Sequence, residues 1–535
     1  MSAPMTPAPD VPASAWTPLR VAAFRSLWLA VLASNVGTWM QTVGAQWLLV
    51  NQPNAATLVA LVQTASMLPV LLLALPAGAL ADTFDRRRLL IVVQCFLAGV
   101  GVLLTTLTAA GWMPPALLLT LTFALGVGQA LTLPAWQAVI PELVPRAQLV
   151  SASALGSISV NLARAVGPAV AGVLVAQAGV SVVFAINAAS FVIFALALLR
   201  WRHGRPEAEP MPERFTAALR AGGRYVRHSL VVRRILLRTA LFVVPGSALW
   251  ALLPLVASHR LAMSASGYGL LLAALGVGAV AGAVVLPRIR QLFSSTQRLL
   301  LAGLLYAGVL LVLALVPVRA VVIAALVPAG LAWMTVLSGI NAAMQLFIPG
   351  WVRARGLSVY QMVFAGGQAL GAVAWGALGE LTSLETALAV AGVVMALGAV
   401  SVLRWPLRDT RGFDQDPAIY WPEPHLALEA HPRTGPVLVT LRYTVPPERQ
   451  AAFVTAMRAV GRSRRRTGAM RWGLFRVGER EHGFMEVYQV PSWEEHLRQH
   501  GGRLTGADQA AEERARALAE GPVEVNHLLP ADPED

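Results

Sequence analysis

Arg164 is the residue whose type and position most directly demand chemistry. It lies about 11 residues into an apolar run from 153 to 178, near half depth if that run crosses a bilayer, where a charge costs several kcal/mol unless a wet cavity or a partner receives it. Helical spacing sets Ser157, Asn161 and Pro168 on its side of the helix, forming a polar stripe. A guanidinium so placed suits an anionic or phenolate-bearing small molecule. The alternative is a structural arginine satisfied by helix C-terminal carbonyls or held closer to the cytoplasmic end. Asn35, Gln41 and Gln46 in the first apolar run bind by hydrogen bonds and do not titrate, and each serves equally well as interhelical glue. The expected substrate site is Asn35, Gln41, Asn161 and Arg164. Of the nine acids before Trp405, Asp10, Glu207, Glu209 and Glu213 fall in the tail or central loop, Asp82, Asp85 and Glu142 at cytoplasmic ends, and Glu380 and Glu385 near the outer face. None is at mid-membrane, so a proton gradient as coupling source would have to work through Asp82 or Glu380. No cofactor is expected.

The elements that must hold these residues follow from composition. The 535 residues are 56% hydrophobic and 13% charged, about half the charged share of a soluble protein, so a single soluble domain is excluded. A dozen apolar runs of roughly 20 residues or more occupy the chain up to Trp405. The net charge of +14 is unevenly spread: residues 1 to 405 carry 25 Arg against 9 acids, and 406 to 535 carry 17 Arg against 19 acids. Placing the N-terminus inside puts 22 of those first 25 Arg in cytoplasmic segments, as the positive-inside tendency requires. Both termini are then cytoplasmic, in a bacterial inner membrane, and no nucleic-acid partner is needed to explain the charge. The expected layout is a disordered lead-in over 1–20 without the features of a signal peptide, a six-helix half over 21–200, a central cytoplasmic loop over 201–234 with a basic helix on the inner leaflet, a second half over 235–405, a linker over 406–435 and a soluble domain over 436–530. A weak repeat supports two halves in the same orientation: Ala135, Gln137, Ile140, Pro141 and Val144 recur as Ala343, Gln345, Ile348, Pro349 and Val352.

The loop after the second run reads Gly78-Ala-Leu-Ala-Asp82-Thr-Phe-Asp85-Arg86-Arg87-Arg88. Its physics is that of a gate latch: Gly78 permits close helix contact, Asp82 pairs with an arginine or a helix N-terminus, and Arg86, Arg87 and Arg88 anchor to phosphate. Here the chain resembles the major facilitator superfamily, departing from its signature at Thr83 and Asp85. Asn35-Val-Gly37-Thr38-Trp39-Met40-Gln41, Pro134-Ala-Trp-Gln137, Ile140-Pro-Glu142-Leu-Val-Pro145-Arg146 and Asn161-Leu-Ala-Arg164-Ala-Val-Gly167-Pro168 together resemble its transmembrane secretion effectors, the enterobactin-exporter-like subgroup, over residues 20 to 405. The resemblance implies an all-α fold of twelve transmembrane helices and export of a small organic molecule, a siderophore, drug or metabolite, by alternating access. Gly167 and Pro168 resemble the helix-bend motif of the superfamily's drug antiporters in span five.

After a proline-rich linker, residues 436 to 529 read strand, helix, strand, strand, helix, strand, a small α+β ferredoxin-like domain similar in pattern to the antibiotic-biosynthesis-monooxygenase type. It invites two readings, a regulatory or dimerising module or an enzyme. The second sustains a rival from another class, a membrane-tethered enzyme or sensor whose tail carries the activity. His496 and His500 at i, i+4 are a metal signal without a third ligand of obvious spacing, so no metal is expected. The arginine run from Arg462 to Arg466 suits lipid headgroups.

Overall fold

The computed structural model describes residues 16–201, 215–407, 418–421, 424, 426–428 and 430–531, with the side chains of a few helical positions, Asp82 and residues 215–219 among them, also outside that set. Asp10, Glu207, Glu209, Glu213 and parts of the two expected linkers therefore lie outside the described residues. The chain divides into two compact units, one of residues 1–208, 238–339 and 361–406, the other of 209–237, 340–360 and 407–535.

Each apolar run forms one long helix. The first half comprises α1 (Ala22–Leu49), α2 (Ala55–Thr83), α3 (Arg86–Ala109), α4 (Pro115–Leu143), α5 (Leu149–Ala178) and α6 (Val180–Arg200). After a short helix α7 (Phe215–His228), the second half follows as α8 (Leu230–Leu255), α9 (Ala265–Leu292), α10 (Ser295–Leu315), α11 (Arg319–Phe347), α12 (Arg353–Leu381) and α13 (Leu384–Val400). Eleven of these helices among the described residues are long and apolar enough to cross a membrane. The remaining long helix, α1, matches them at 28 residues but is diluted by Arg25, Asn35, Gln41 and Gln46. Side chains start several helices: Asp85 caps α3 by accepting from the Arg88 amide at 2.7 Å, and Ser294 with Gln297 forms a capping box on α10. Gly179, at φ +85°, turns α5 into α6 in one residue, which needs the left-handed conformation glycine takes without strain.

Small residues bring the helices close. At Gly278 of α9 and Gly330 of α11 a Cβ would overlap the carbonyl oxygens of Val327 and Leu275 respectively, so these backbones touch inside the second half. Between the halves, Gly172 of α5 meets Gly269 of α9, and Gly376 of α12 meets Ala56 and Ala60 of α2. Apolar side chains on the outward faces, such as Val92, Val284 and Leu397, are exposed, as helices bathed in lipid require.

In the second unit, β1 (Val437–Thr444), α14 (Gln450–Thr467), β2 (Arg471–Arg476), β3 (Gly483–Val490), α15 (Trp493–Arg498), α16 (Gly506–Arg516) and β4 (Glu520–Leu528) follow one another. The strands form one antiparallel sheet in the order β2-β3-β1-β4. Val437, Val439, Leu441 and Tyr443 of β1 point to one face, where they meet Phe453, Met457 and Val460 of α14 in the core. The helical repeat of three to four and the strand repeat of two thus converge on the same interior.

Two expectations change here. The central-loop helix does not stand alone as a leaflet-bound element: Ala221 and Tyr225 of α7 are buried, and α7 packs against α14. Nor is the arginine run free for headgroups beyond Arg462, which stays exposed. Arg464 is 1% exposed and bonds Glu486 and Glu512 at 3.0 Å each, Arg465 donates to the Trp472 carbonyl, and Arg466 pairs with Asp508. A helix one side of which faces a sheet must neutralise the charges it turns inward.

Candidate functional site

Arg164 sits at the middle of α5. Pro168, one turn on, has no N–H, so the Arg164 carbonyl loses its usual helical partner. The guanidinium carbon lies 5.5 Å from the centroid of Trp39 on α1, and the Nε is buried with no hydrogen-bond partner. Trp39 begins a line of rings: Trp250 of α8 is 5.7 Å away, Trp333 of α11 lies 5.5 Å beyond it, and Tyr306 and Phe242 follow at 5.8 and 5.5 Å from Trp333. Arg164, Pro168, Trp250, Gly276 and Trp333 line one cavity. A cation stands against a wall of indoles where α1 and α5 of one half meet α8, α9 and α11 of the other; the cavity is narrow in this arrangement, and the chemistry it offers is positive charge beside aromatic faces.

Other arginines show what a structural role looks like in this chain. Arg238 of α8, 4% exposed, donates to the carbonyls of Gly398, Ser401 and Trp405 and to the Ser401 hydroxyl at 2.7 to 3.1 Å. Arg87 donates to the Leu198 and Leu199 carbonyls at 2.8 and 2.9 Å, and Arg319 to those of Leu261 and Ala262 at 2.8 and 2.9 Å. Each caps a helix end. Arg164 makes no such bond among the described residues.

The structure brings some expected residues to Arg164 and not others. Asn161 lies one turn from it on the same helix, its Nδ2 donating back to the Ser157 carbonyl at 2.9 Å. Asn35, one turn from Trp39, reaches across to α5 and donates to Ser159 at 3.1 Å. Gln41 is corrected: two residues from Trp39, it points to the opposite side of α1. That is the side of Gly37 and Gly44, which pack on Asn187 and Phe184 of α6, and Gln41 is 4% exposed, away from the cavity. Gly167 meets Trp39 and the Val36 carbonyl, so glycine lets α1 approach α5 at the site. The gate motif is also rearranged. Among the described residues nothing lies within 4 Å of a Cβ placed on Gly78, so the close helix contact expected there is not made with them. Arg86 pairs with Glu142 of α4 at 2.6 Å, Arg87 holds α6, and of the three only Arg88 keeps an exposed side chain, the Asp82 side chain lying outside the described residues. Arg86 and Arg87 are therefore engaged within the protein instead of all three being free for phosphate.

Contacts between the halves run from mid-span to the ends remote from the Arg-rich loops. Gln46 of α1 accepts from the buried Tyr268 hydroxyl at 2.7 Å and donates to the Trp250 carbonyl at 3.2 Å, Trp47 stacks on Tyr268, and Thr64 of α2 donates to the Ala369 carbonyl of α12 at 3.0 Å. Toward the Arg-rich end, Ser153, Ala154 and Ser157 of α5 are exposed and nothing comes within 4 Å of a Cβ on Gly156. The bonded contacts between the halves thus lie toward the remote end, while the α5 face that carries Arg164 is exposed toward the Arg-rich end. Trp250, Trp333 and Tyr268 were not anticipated from the sequence. The signal was present as tryptophan and tyrosine deep in apolar runs, where an indole N–H or a phenol hydroxyl must find a partner.

In the second unit, the His496 and His500 Nε2 atoms are 3.2 Å apart, but among the described residues no three His, Cys, Asp or Glu groups are placed to hold a metal ion. Burial, then the His500 and His527 rings beside it, hold His496 down to about 3. The unfolded value is about 6.5, so the folded domain resists protonation: its stability is full above that value and falls as pH drops toward 3. Between pH 7 and 5 the domain should lose about 2 kcal/mol. Hydrogen exchange of the β1 to β4 amides at the two pH values measures this, and His496→Phe should flatten the dependence.

A family model for transmembrane secretion effectors matches residues 13–533. The chain belongs to this family. Relatives of this secretion effector include the staphyloferrin A transporter of Staphylococcus aureus, 24% identical over 52% of the chain and 70% of the relative. The multidrug efflux pump Tap of Mycobacterium tuberculosis is 27% identical over 71% and 93%, and the enterobactin exporter EntS of Citrobacter koseri 28% over 64% and 81%. A bacterial homologue of the lysosomal transporter Spinster, solved inward-facing and unoccupied, superposes with a TM-score of 0.57 at 15% identity, covering 72% of the chain and 95% of that structure. The fold of the helical part is that of the major facilitator transporters. The secretion effector is an integral membrane secondary transporter that exports small organic molecules, and the rival of a membrane-tethered enzyme is set aside.

Proposed function

We propose that this transporter exports a planar aromatic anion, of the chemical kind a catecholate siderophore or an acidic aromatic drug presents, from the cytoplasm across a bacterial inner membrane. The observation that carries the reading is the buried, unpartnered Nε of Arg164 beside the Trp39 ring at the plane where the halves meet. Asn161 and Asn35 line the approach from the Arg-rich end, and the distribution of arginines supports reading that end as cytoplasmic together with both termini. Gly78, Asp82 and Arg86 to Arg88 form the inner gate when the halves close over it, and Arg88 is the residue that meets lipid phosphate. Transport in inverted vesicles of 2,3-dihydroxybenzoate, set against its neutral amide, tests the substrate class. Preference for the acid that vanishes in Arg164→Gln supports it, and equal transport of both refutes it. A proton gradient as coupling source is read out in the same vesicles by collapsing it. The outer sheet face of the small domain carries Leu438, Met485, Val487 and half-exposed Phe475 and Leu528, an apolar patch suited to pairing with a second copy.

The outer closure predicts its own effect. Tyr268→Phe removes the hydroxyl that donates to Gln46, leaving a buried acceptor unpaired at a cost of about 1–3 kcal/mol. The arrangement closed at the outer end should lose about tenfold in population, seen as faster labelling of an outer-end cysteine by an impermeant maleimide.

A further inference from the structure

The second unit joins three stretches far apart in the chain: α7 of the central loop, the segment of residues 340–360 at the end of α11 and the start of α12, and the C-terminal domain. A closed circuit of side chains ties them together. Arg224 of α7 donates to Glu495 of α15 at 2.6 Å. Glu495 also takes two bonds from Arg503, at 2.7 and 3.2 Å. The Arg503 guanidinium lies over Trp351, 4.7 Å from the ring centroid, and Trp351 meets Tyr225 edge-on at 5.8 Å. Tyr225 is the neighbour of Arg224, which closes the circuit. Arg466, itself held by Asp508, covers the other side of Tyr225 at 5.7 Å.

These are not surface pairs. Glu495 and Arg503 side chains are 7% and 5% exposed and Tyr225 is 1% exposed, with burial pushing its phenol up to about 12. The approach of α7 to the α11–α12 connection is also tight without the circuit, since a Cβ on Gly222 would stand 2.9 Å from the Arg355 Cβ. Desolvated ion pairs and cation–π contacts of this kind are specific to one geometry, and losing one partner leaves a buried charge behind.

The stretches so tied continue directly into membrane helices: α7 leads into α8, and residues 340–360 are the Arg-rich ends of α11 and α12. Those ends must shift for the second half to close over the inner mouth. A contact formed in one arrangement and broken in the other biases the equilibrium toward the first by its full free energy. We propose that the C-terminal domain is an intramolecular clamp that grips the central-loop helix and the α11–α12 connection, holds the transporter in the arrangement open at the Arg-rich end, and restrains export until it lets go.

The test needs no substrate, so it stands or falls apart from the aromatic-anion reading. In full-length protein with the single cysteine removed by Cys95→Ser, a Thr57→Cys reporter is placed at the outer contact of α2 with α12. Labelling by an impermeant maleimide from the outer side then reports outer opening. Glu495→Ala breaks both arginine contacts, Trp351→Ala opens the circuit without touching a charge, and Gly222→Leu pushes α7 off the connection while leaving the domain's own core intact. Each should raise the labelling rate threefold or more. The Gly222→Leu protein guards against a domain that merely unfolds in the other two. A clamp carried unchanged through the transport cycle would leave labelling at the parent rate in all three variants, and that result overturns the proposal.

Discussion

Replacing Arg164 by alanine should abolish export, by a factor of ten or more, while leaving the protein folded and in the membrane. Arg238, Arg87 and Arg319 spend their donors on helix-end carbonyls, so their removal destabilises. Among the described residues Arg164 makes no such bond, and its Nε has no partner. Removing it takes away an unfavourable burial and leaves only the Trp39 contact unfilled. Thermal stability in detergent should therefore hold or rise. Arg164→Lys keeps the charge but loses the planar face, so it should retain part of the transport of anions and weaken most for flat ones. Flux in inverted vesicles and melting temperature, measured on the same preparations, separate the two effects. A variant that unfolds, or one that transports normally, contradicts the assignment.

Gly172→Val should stop transport by a different route. The added Cβ would stand 2.8 Å from the Ala265 carbonyl oxygen and from the Gly269 Cα, and those are backbone atoms that cannot rotate away. The contact belongs to α5 against α9, one half against the other, so the steric conflict is relieved by parting the outer ends and not by unfolding either half. Export should fall at least tenfold, with the protein present at normal level and its outer end more open to an impermeant maleimide. The control is Gly278→Val, whose Cβ overlaps the Val327 carbonyl within a single half. That conflict has no rigid-body escape, so the folded protein itself should be lost, seen as low recovery from the membrane.

How much of this was legible beforehand depended on the range of the interaction concerned. The long helices were legible because hydropathy is a local property: a run such as Val180–Arg200 has only one way to satisfy its backbone in lipid. The strands of the small domain were legible from alternation in Val437, Val439, Leu441 and Tyr443. Arg164 was legible because a charge in such a run violates a rule that needs no partner to state. Gln41 departs from its expected place because sequence spacing supplies no reference direction. Sequence spacing relates it to Trp39 but cannot say which side of α1 faces the cavity until α5 and α6 are packed. The spacing of the arginines after Gly78 suggests a latch within the loop, whereas the partners of Arg86 and Arg87, Glu142 and the end of α6, lie more than fifty residues away.

The amino-acid sequence by itself determined twelve helices, their two halves, the basic end and the one unexplained charge, because these follow from solvation and from spacing along a single element. Only the tertiary structure decided that Trp39, Trp250 and Trp333 surround that charge, that the halves meet at Gly172 and Tyr268, and that Arg224 and Trp351 are bound to the C-terminal domain. Those are contacts between residues up to several hundred positions apart, selected by shape when backbones approach and carried by no local pattern.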